Sequence, residues 1–272
     1  MKNLERKIVL VTGAGSGIGR ATALEFAKCG SILALVDINE QGLQECKKSV
    51  EAMGVRGESF ICDVSDKMAM AKLAKDVNSL LGGVDVLINC AGVGVVGDSR
   101  KINLEDWEWI MGINLWGVIY GVHFFLPVLL ERKGHIVNIS SIGGLVGMIH
   151  FTPYCTTKFA LVGMSECLRA DLAEFGVGVT VVCPGIINTN ITRASRIYSV
   201  TEKEKEFNEK AIEFYATRGW HPEKVARAIV RAIKKNKFLC IVGPESWALY
   251  LIKRIAPNLV WRLGALATKQ LK

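Results

Sequence analysis

A tyrosine and a lysine stand four residues apart in "YCTTKFALVGMSECLRADL", at Tyr154 and Lys158. The segment reads as a helix, so both side chains lie on one face, about a turn apart. An ammonium beside a phenol favours the phenolate and lowers its pKa from about 10 toward neutrality, which equips Tyr154 for acid–base chemistry. The same spacing also suits an ordinary helix surface, so the pair needs a cleft around it to become a site. Ser141 closes the apolar run "GHIVNISS" and offers a hydroxyl that either holds a substrate oxygen or forms a turn.

A second group of residues lies far upstream. "LVTGAGSGIGRA" places Gly13, Gly15, Gly17 and Gly19 between an apolar run and a helical segment. A tight turn, a close helix–strand crossing or a bound phosphate would each exclude side chains there. A helix N-terminus carries unpaired N–H groups and about half a positive charge, and glycine lets a pyrophosphate approach them. The spacing Gly13-x-x-x-Gly17-x-Gly19 departs from the G-x-G-x-x-G dinucleotide fingerprint, because Arg20 stands where a third glycine would fall. Asp37 ends "LALVDIN", eighteen residues after Gly19. An acidic side chain at that place can accept hydrogen bonds from ribose hydroxyls, cap the following helix, or do both.

Positioning these groups requires a sheet. Seven runs, "KIVLVT", "ILALVD", "GESFICDV", "VDVLIN", "GHIVNISS", "VGVTVVCP" and "FLCIVG", are apolar along most of their length. Strands covered on both faces have that pattern. The intervening segments, such as "GRATALEFAKCG" and "SDKMAMAKLAKDVNSLLG", carry amphipathic stripes and several end at glycine. The expected fold is a doubly wound α/β architecture of about seven parallel strands with helices on both faces. In such a sheet, ligands bind beyond the carboxyl ends of the strands, where the glycine turn falls. With 272 residues, half of them hydrophobic and 22% charged, the chain is expected to form one domain over residues 1–244 and to carry a basic extension at 245–272.

In combination, "TGAGSGIG", "NCAG" at Asn89 to Gly92, Ser141, "YCTTK" and "PGIINT" at Pro184 to Thr189 resemble the short-chain dehydrogenase/reductase family over about residues 5–243. "NCAG" differs from the more frequent Asn-Asn-Ala-Gly at Cys90. The resemblance implies a Rossmann fold, a nicotinamide cofactor and hydride transfer between it and a secondary alcohol or ketone. It makes Tyr154 the proton-exchanging group, Ser141 the holder of the substrate oxygen, and Lys158 the group that tunes the tyrosine and binds the nicotinamide ribose. Asn114 would hold a water linking Lys158 to solvent. The spacing of thirteen residues to Tyr154 selects Ser141 over Ser140, whose side chain should point to the opposite side of the strand. Cofactor contacts are then expected from Gly13, Ser16, Gly17, Ile18, Gly19, Asp37, Asp63, Val64, Asn89, Ala91, Gly92, Tyr154, Lys158, Pro184, Gly185, Ile187 and Thr189. The Asp37 carboxylate should repel a 2′-phosphate, and neither Ser16 nor Ile38 is a cation, so NAD is expected over NADP. A nucleotide-binding redox sensor or scaffold that does not catalyse is the alternative, and the intact Ser141, Tyr154 and Lys158 argue against it.

Other classes find less support. No G-x-S-x-G elbow of a hydrolase is present, and Ser165 in "VGMSECL" lacks the second glycine. The eight cysteines show no CxxC pair or zinc-like spacing, so no metal is expected, and scattered thiols fit a reducing, cytoplasmic compartment. No secretory leader is expected ahead of the first strand, and the apolar stretch "WGVIYGVHFFLPVLL" is shorter than the roughly 20 residues that cross a bilayer, so no membrane span is expected.

The formal charge of +8 is concentrated after Arg218 without a nucleic-acid motif, so no nucleic-acid partner is expected. Residues 143–152 and the loop at about 189–217 should line a substrate pocket with Leu145, Met148, Ile149, Phe151, Ile191 and Ile197, which favours a fairly large apolar substrate. His150 is a polar exception there. Apolar excess in residues 103–132 and 153–175 points to a homodimer or homotetramer. In the tail, Trp247, Leu251, Ile255, Leu259, Trp261, Leu263 and Leu266 alternate with Lys253, Arg254, Arg262 and Lys269, and Pro257 should divide it into two short helices. Such a segment suits a lid, an oligomer contact or a peripheral membrane contact.

Overall fold

The computed structural model describes residues 1–191, 195–198, 205–206, 209–210, 213–214, 217–260 and 262. The seven apolar runs form one parallel sheet from β1 (Ile8–Thr12), β2 (Ile32–Asp37), β3 (Gly57–Ile61), β4 (Val86–Asn89), β6 (His135–Ile139), β7 (Gly178–Pro184) and β9 (Leu239–Val242). Their spatial order is β3-β2-β1-β4-β6-β7-β9. Two short strands absent from the sequence expectation, β5 (Val95–Gly97) and β8 (Arg196–Tyr198), pair with each other outside the main sheet.

Helices cover both faces. On one face α1 (Gly17–Ala27), α2 (Glu40–Glu51) and α7 (Pro222–Lys234) bury Phe26, Leu43, Ile229 and Ile233 against Val9 and Leu33. On the other, α3 (Lys67–Leu81) and α5 (Gly117–Glu131) bury Met70, Val77, Phe125 and Leu129 against Leu10 and Ile136, and α6 (Thr152–Asp171) lays Met164 and Leu168 on the same cluster. Local signals fix the helix ends. Asp66 caps α3 by accepting from the N–H groups of Met68 and Ala69, and Gly82 ends it at φ +80°. The cap of α2 is Asn39, which accepts from Gly42 N, so Asp37 is free of that duty.

One length expectation is corrected. The helix α4 (Leu104–Met111), a π-helical turn over Gly112–Trp116 and α5 run on as a single helical rod from Leu104 to Glu131. It is 28 residues long, and an 18-residue window within it has a mean hydropathy of 1.7, enough to cross a bilayer by length and composition. The apolar stretch read from the sequence begins at Trp116, whereas the helical backbone begins twelve residues earlier, at Leu104. The rod nevertheless supplies Val122, Phe125 and Leu129 to the core.

The chain also makes α8 (Pro244–Ile255) beyond the last strand. It stops at Ala256, and a second helical segment begins at Pro257 and continues to residue 260, as proline at a first helical position would have it. Most of the expected substrate loop, along with Trp261, Leu263, Leu266 and Lys269, lies outside the described residues.

Candidate active site

Strand order reverses at β1, which has β2 on one side and β4 on the other, and this is where a crevice opens at the carboxyl edge of such a sheet. A cavity of about 420 Å³ occupies it, within the range of small-molecule sites. Every residue expected to act on the proton or to hold the cofactor lines this cavity except Asn89 and Asn114. Residues more than a hundred positions apart in sequence thus converge on one cleft.

The glycine turn answers its own question residue by residue. A Cβ at Gly19 would lie 2.0 Å from the carbonyl oxygen of Gly13, and one at Gly13, where φ is +68°, would lie 2.9 Å from the Ala91 backbone. At Gly15 it would meet the Asp37 carboxylate at 2.9 Å. Gly13 and Gly19 are therefore demanded by main-chain close packing, the tight turn and close crossing that the sequence offered beside a bound phosphate, and Gly15 leaves room for the Asp37 carboxylate. Gly17 differs: φ is +50° and its nearest neighbour, the Thr189 side chain, is 3.4 Å away. The cradle still fits a pyrophosphate. Ser16 makes no capping hydrogen bond to α1 and no acidic residue stands in the first turn, so the helix dipole and its leading N–H groups face the cavity unopposed.

Asp37 accepts from Gly15 N at 2.8 Å and from Asn39 N at 2.9 Å, which fixes its carboxylate at the cavity wall. Asp63 accepts from the N–H and hydroxyl of Ser65 in a tight turn, with Val64 beside it in the lining. Sequence reasoning missed Thr12. Its hydroxyl oxygen accepts from Cys90 N at 3.0 Å and Ala91 N at 3.1 Å, and so ties the turn after β4 to the end of β1. Its position directly before the glycine turn was the available signal. Burial pushes the Cys90 thiol up to about 12, so this departure from the family pattern contributes a neutral wall.

Asn89 belongs to the interior. It donates to Asn138 Oδ1 at 2.9 Å, and Asn138 donates to Ser165 Oγ at 3.0 Å, a buried polar chain joining β4, β6 and α6. Asn114, inside the π-helical turn, accepts from Val93 N at 2.8 Å and donates to Val93 O and to Thr157 Oγ1. Its oxygen and the Lys158 ammonium both approach Gly92, where a Cβ would meet them at 3.3 and 3.5 Å. Both asparagines hold the walls and neither lines the cavity.

At the opposite end, α6 presents Tyr154 and Lys158 to the cleft. Lys158 is buried and donates to Ile139 O at 3.0 Å, with its ammonium 5.6 Å from the centroid of the Tyr154 ring. Desolvation lowers its pKa from 10.5 to about 8. The Tyr154 ring also packs edge-on to Phe151. Both serines line the cavity; Ser140 donates its proton to Lys158 O at 2.8 Å, whereas Ser141 Oγ accepts from Gly143 N at 3.1 Å and keeps its proton for another partner.

Met148, Phe151, Ile191 and Ile197 line the apolar part of the cavity. Three neighbours expected beside them do not. Leu145 is buried in a separate edge cluster with Ile142 and Val181, Ile149 is absent from the lining, and His150 adopts φ +62° so that its carbonyl accepts from Gly97 N. Composition alone could not tell which of these neighbours face the cleft.

The family model for short chain dehydrogenase matches residues 7–198. The chain is 38% identical over 256 residues to the probable oxidoreductase EphD of Mycobacterium tuberculosis, covering 92% of this chain and 43% of that one, so it spans less than half the length of that relative. It is 32% identical to the C alpha-dehydrogenase of Sphingobium sp., with 90% and 83% of the two chains covered. Among solved structures, a short chain dehydrogenase/reductase from Burkholderia phymatum in complex with NAD superposes with a TM-score of 0.88 at 29% identity, over 95% of this chain and 96% of that one. The fold and the site are those of a Rossmann-type nucleotide-binding domain. The chain belongs to the short-chain dehydrogenase/reductase family, whose members bind a nicotinamide cofactor.

Proposed function

We propose that the protein is an NAD-dependent dehydrogenase that interconverts a fairly large, apolar secondary alcohol and its ketone. The observation that carries this reading is the convergence of Ser141, Tyr154 and Lys158 on one cavity with the open N-terminus of α1 and Asp37. The nicotinamide cofactor, when bound, supplies the hydride acceptor or donor. The α1 N-terminus with Gly17 and Ile18 would hold its pyrophosphate, Asp37 the adenosine ribose, Asp63 and Val64 the adenine, and Pro184, Gly185, Ile187 and Thr189 the nicotinamide end.

The protein's own side chains handle the proton. Tyr154 takes it from the substrate hydroxyl during oxidation, Ser141 donates a hydrogen bond to the substrate oxygen, and the Lys158 ammonium favours the phenolate. Asn114 is a positioning residue that fixes Val93 and Thr157 around Lys158. NAD preference is supported by the lining itself: among the described residues of the cavity, Lys158 is the only cation, and it lies at the catalytic end. Arg20 is paired with Glu45 at 3.1 Å instead. The intact proton-handling set speaks against a redox sensor or scaffold.

An apolar substrate is supported by Met148, Phe151, Ile191 and Ile197. The free thiols of all eight cysteines support a cytoplasmic site of action. We further propose a homodimer or homotetramer through α4, α5 and α6, where Leu104, Trp116 and Phe159 are exposed. Light scattering at micromolar concentration tests it, and a mass of one chain would refute it. The activity is tested by nicotinamide absorbance over a panel of secondary alcohols and ketones with NAD and NADP. Turnover of hydrophobic alcohols with NAD is expected; no turnover of any member would overturn the reading.

A further inference from the structure

The C-terminal helix α8 has two faces of different character. Its inner face is seated. Ser246 is buried, Tyr250 packs on the edge cluster of Ile142, Leu145 and Val146, and the Lys253 ammonium donates to Leu145 O at 2.6 Å while lying 4.4 Å from the Phe159 ring centroid. Val260, past the break at Ala256, packs on the same cluster. These contacts fix the rotation of the helix about its axis.

The opposite face is therefore turned outward, and it is apolar. Trp247, Leu251, Ile252 and Ile255 follow one another at helical spacing and are 40%, 50%, 40% and 83% exposed. Basic groups border it. The Lys237 ammonium lies 5.8 Å from the Trp247 ring centroid, and Arg254 is exposed on the helix itself. From Arg218 to Lys272 the sequence carries 12 basic residues and 2 acidic ones. Twelve residues of helix are about 18 Å long, too short to cross a hydrocarbon core, so such a helix lies flat on its partner.

We propose that this face of α8 docks on an anionic lipid surface, with Trp247, Leu251 and Ile255 entering the boundary between headgroups and acyl chains and Lys237 and Arg254 meeting lipid phosphates. Charge decides for this occupant. A twofold contact with a second copy would bring the same basic rim against itself, whereas an anionic bilayer complements both the apolar stripe and its rim. The contact would also reach the catalytic cleft: α8 grips Leu145 in the strap that carries Met148 into the cavity wall. Docking would thus set the apolar end of the cleft one strap away from the lipid, a suitable place to exchange an apolar molecule without passing it through water.

Vesicle binding is read without turnover, so it stands or falls separately from the catalytic reading. The full chain should float with vesicles of equimolar phosphatidylglycerol and phosphatidylcholine at low salt, and about tenfold more weakly or less with phosphatidylcholine alone. Arg254→Gln should weaken the anionic binding about fivefold. The paired change Leu251→Asp and Ile255→Asp, on exposed positions, should remove it while the circular dichroism spectrum is unchanged. Absence of flotation at low salt, or undiminished flotation of the paired variant, would overturn the proposal. So would a paired variant that dissociates an oligomer formed by the parent chain, since the face would then be a subunit contact.

Discussion

The two ends of the cleft are built by different means. The nucleotide end is backbone against backbone: Gly13, Gly19 and Gly42 bring the first turn within 2.0–2.9 Å, measured to the Cβ each lacks, of neighbouring main-chain atoms. The substrate end is assembled by side chains from distant segments. Asp106 on α4, almost fully buried, holds Arg196 at 2.7 Å and accepts from the Tyr198 hydroxyl, and Arg196 stacks over Trp109 at 3.9 Å. Those contacts fasten β8, and with it Ile197, against β5. A main-chain cradle tolerates almost any side chain around it but no added carbon at its contacts. A side-chain clasp can be exchanged piece by piece.

The largest effect should come from Gly19→Ala, whose methyl group has nowhere to go. A loss of about 4 kcal/mol or more in urea unfolding is expected, together with loss of NADH binding. The same substitution at Gly147, where a Cβ meets nothing within 4 Å, should cost far less. Equal costs at the two positions would break the contrast drawn above.

Next comes the chemistry between the two ends. Tyr154→Phe should lower turnover by about 10²–10⁴-fold and leave NADH binding, followed by fluorescence, within a few fold. Lys158 adds a pH signature. It is charged below about pH 8, so alcohol oxidation should decline as the pH is raised through that value. Stability moves the other way. Between about pH 8 and the ordinary lysine value of 10.5 the unfolded chain holds this proton and the folded chain does not, so this group makes the fold more stable as pH rises. The difference between the parent chain and Lys158→Met isolates it from the cysteines that titrate nearby, and its full span is about 3 kcal/mol. A flat difference across that interval would remove the assignment of a desolvated lysine.

Smaller effects sharpen the comparison. Asp37→Ala should erode the preference for NAD over NADP by about tenfold, because a carboxylate facing the 2′ position is removed. Asp106→Asn should raise KM for apolar substrates about fivefold with kcat and the Kd for NADH nearly unchanged, since it weakens a charge-assisted clasp on the substrate side alone. A matching rise in the Kd for NADH would show that the two ends are not separable.

The same division governs how much the sequence disclosed. Continuous apolar runs revealed all seven strands of the main sheet, because strands buried on both faces leave that local signature. Tyr154, Lys158, Ser141 and the glycine turn were legible for a similar reason, being defined by short spacings. The β5–β8 pair was not: "VVG" and "RIY" are three residues each, a hundred positions apart, and their pairing depends on Asp106 in a third segment. Asn89 was placed against the cofactor because its motif lies there, yet its partner Asn138 is 49 residues away on the neighbouring strand. Polar pairing across strands carries no local mark.

The π-helical turn at Gly112–Trp116 has a consequence for how this chain can diverge. Such a turn accommodates one residue more than the regular spiral, and each residue corresponds to about 100° of rotation. It sets the phase between α4, which points Asp106 inward, and α5, which points Val122 and Phe125 into the core. Point substitutions in this stretch leave the phase intact, whereas loss or gain of a single codon would turn one half of the rod against the other. Lineages derived from this sequence should therefore vary here in letters and hardly at all in length.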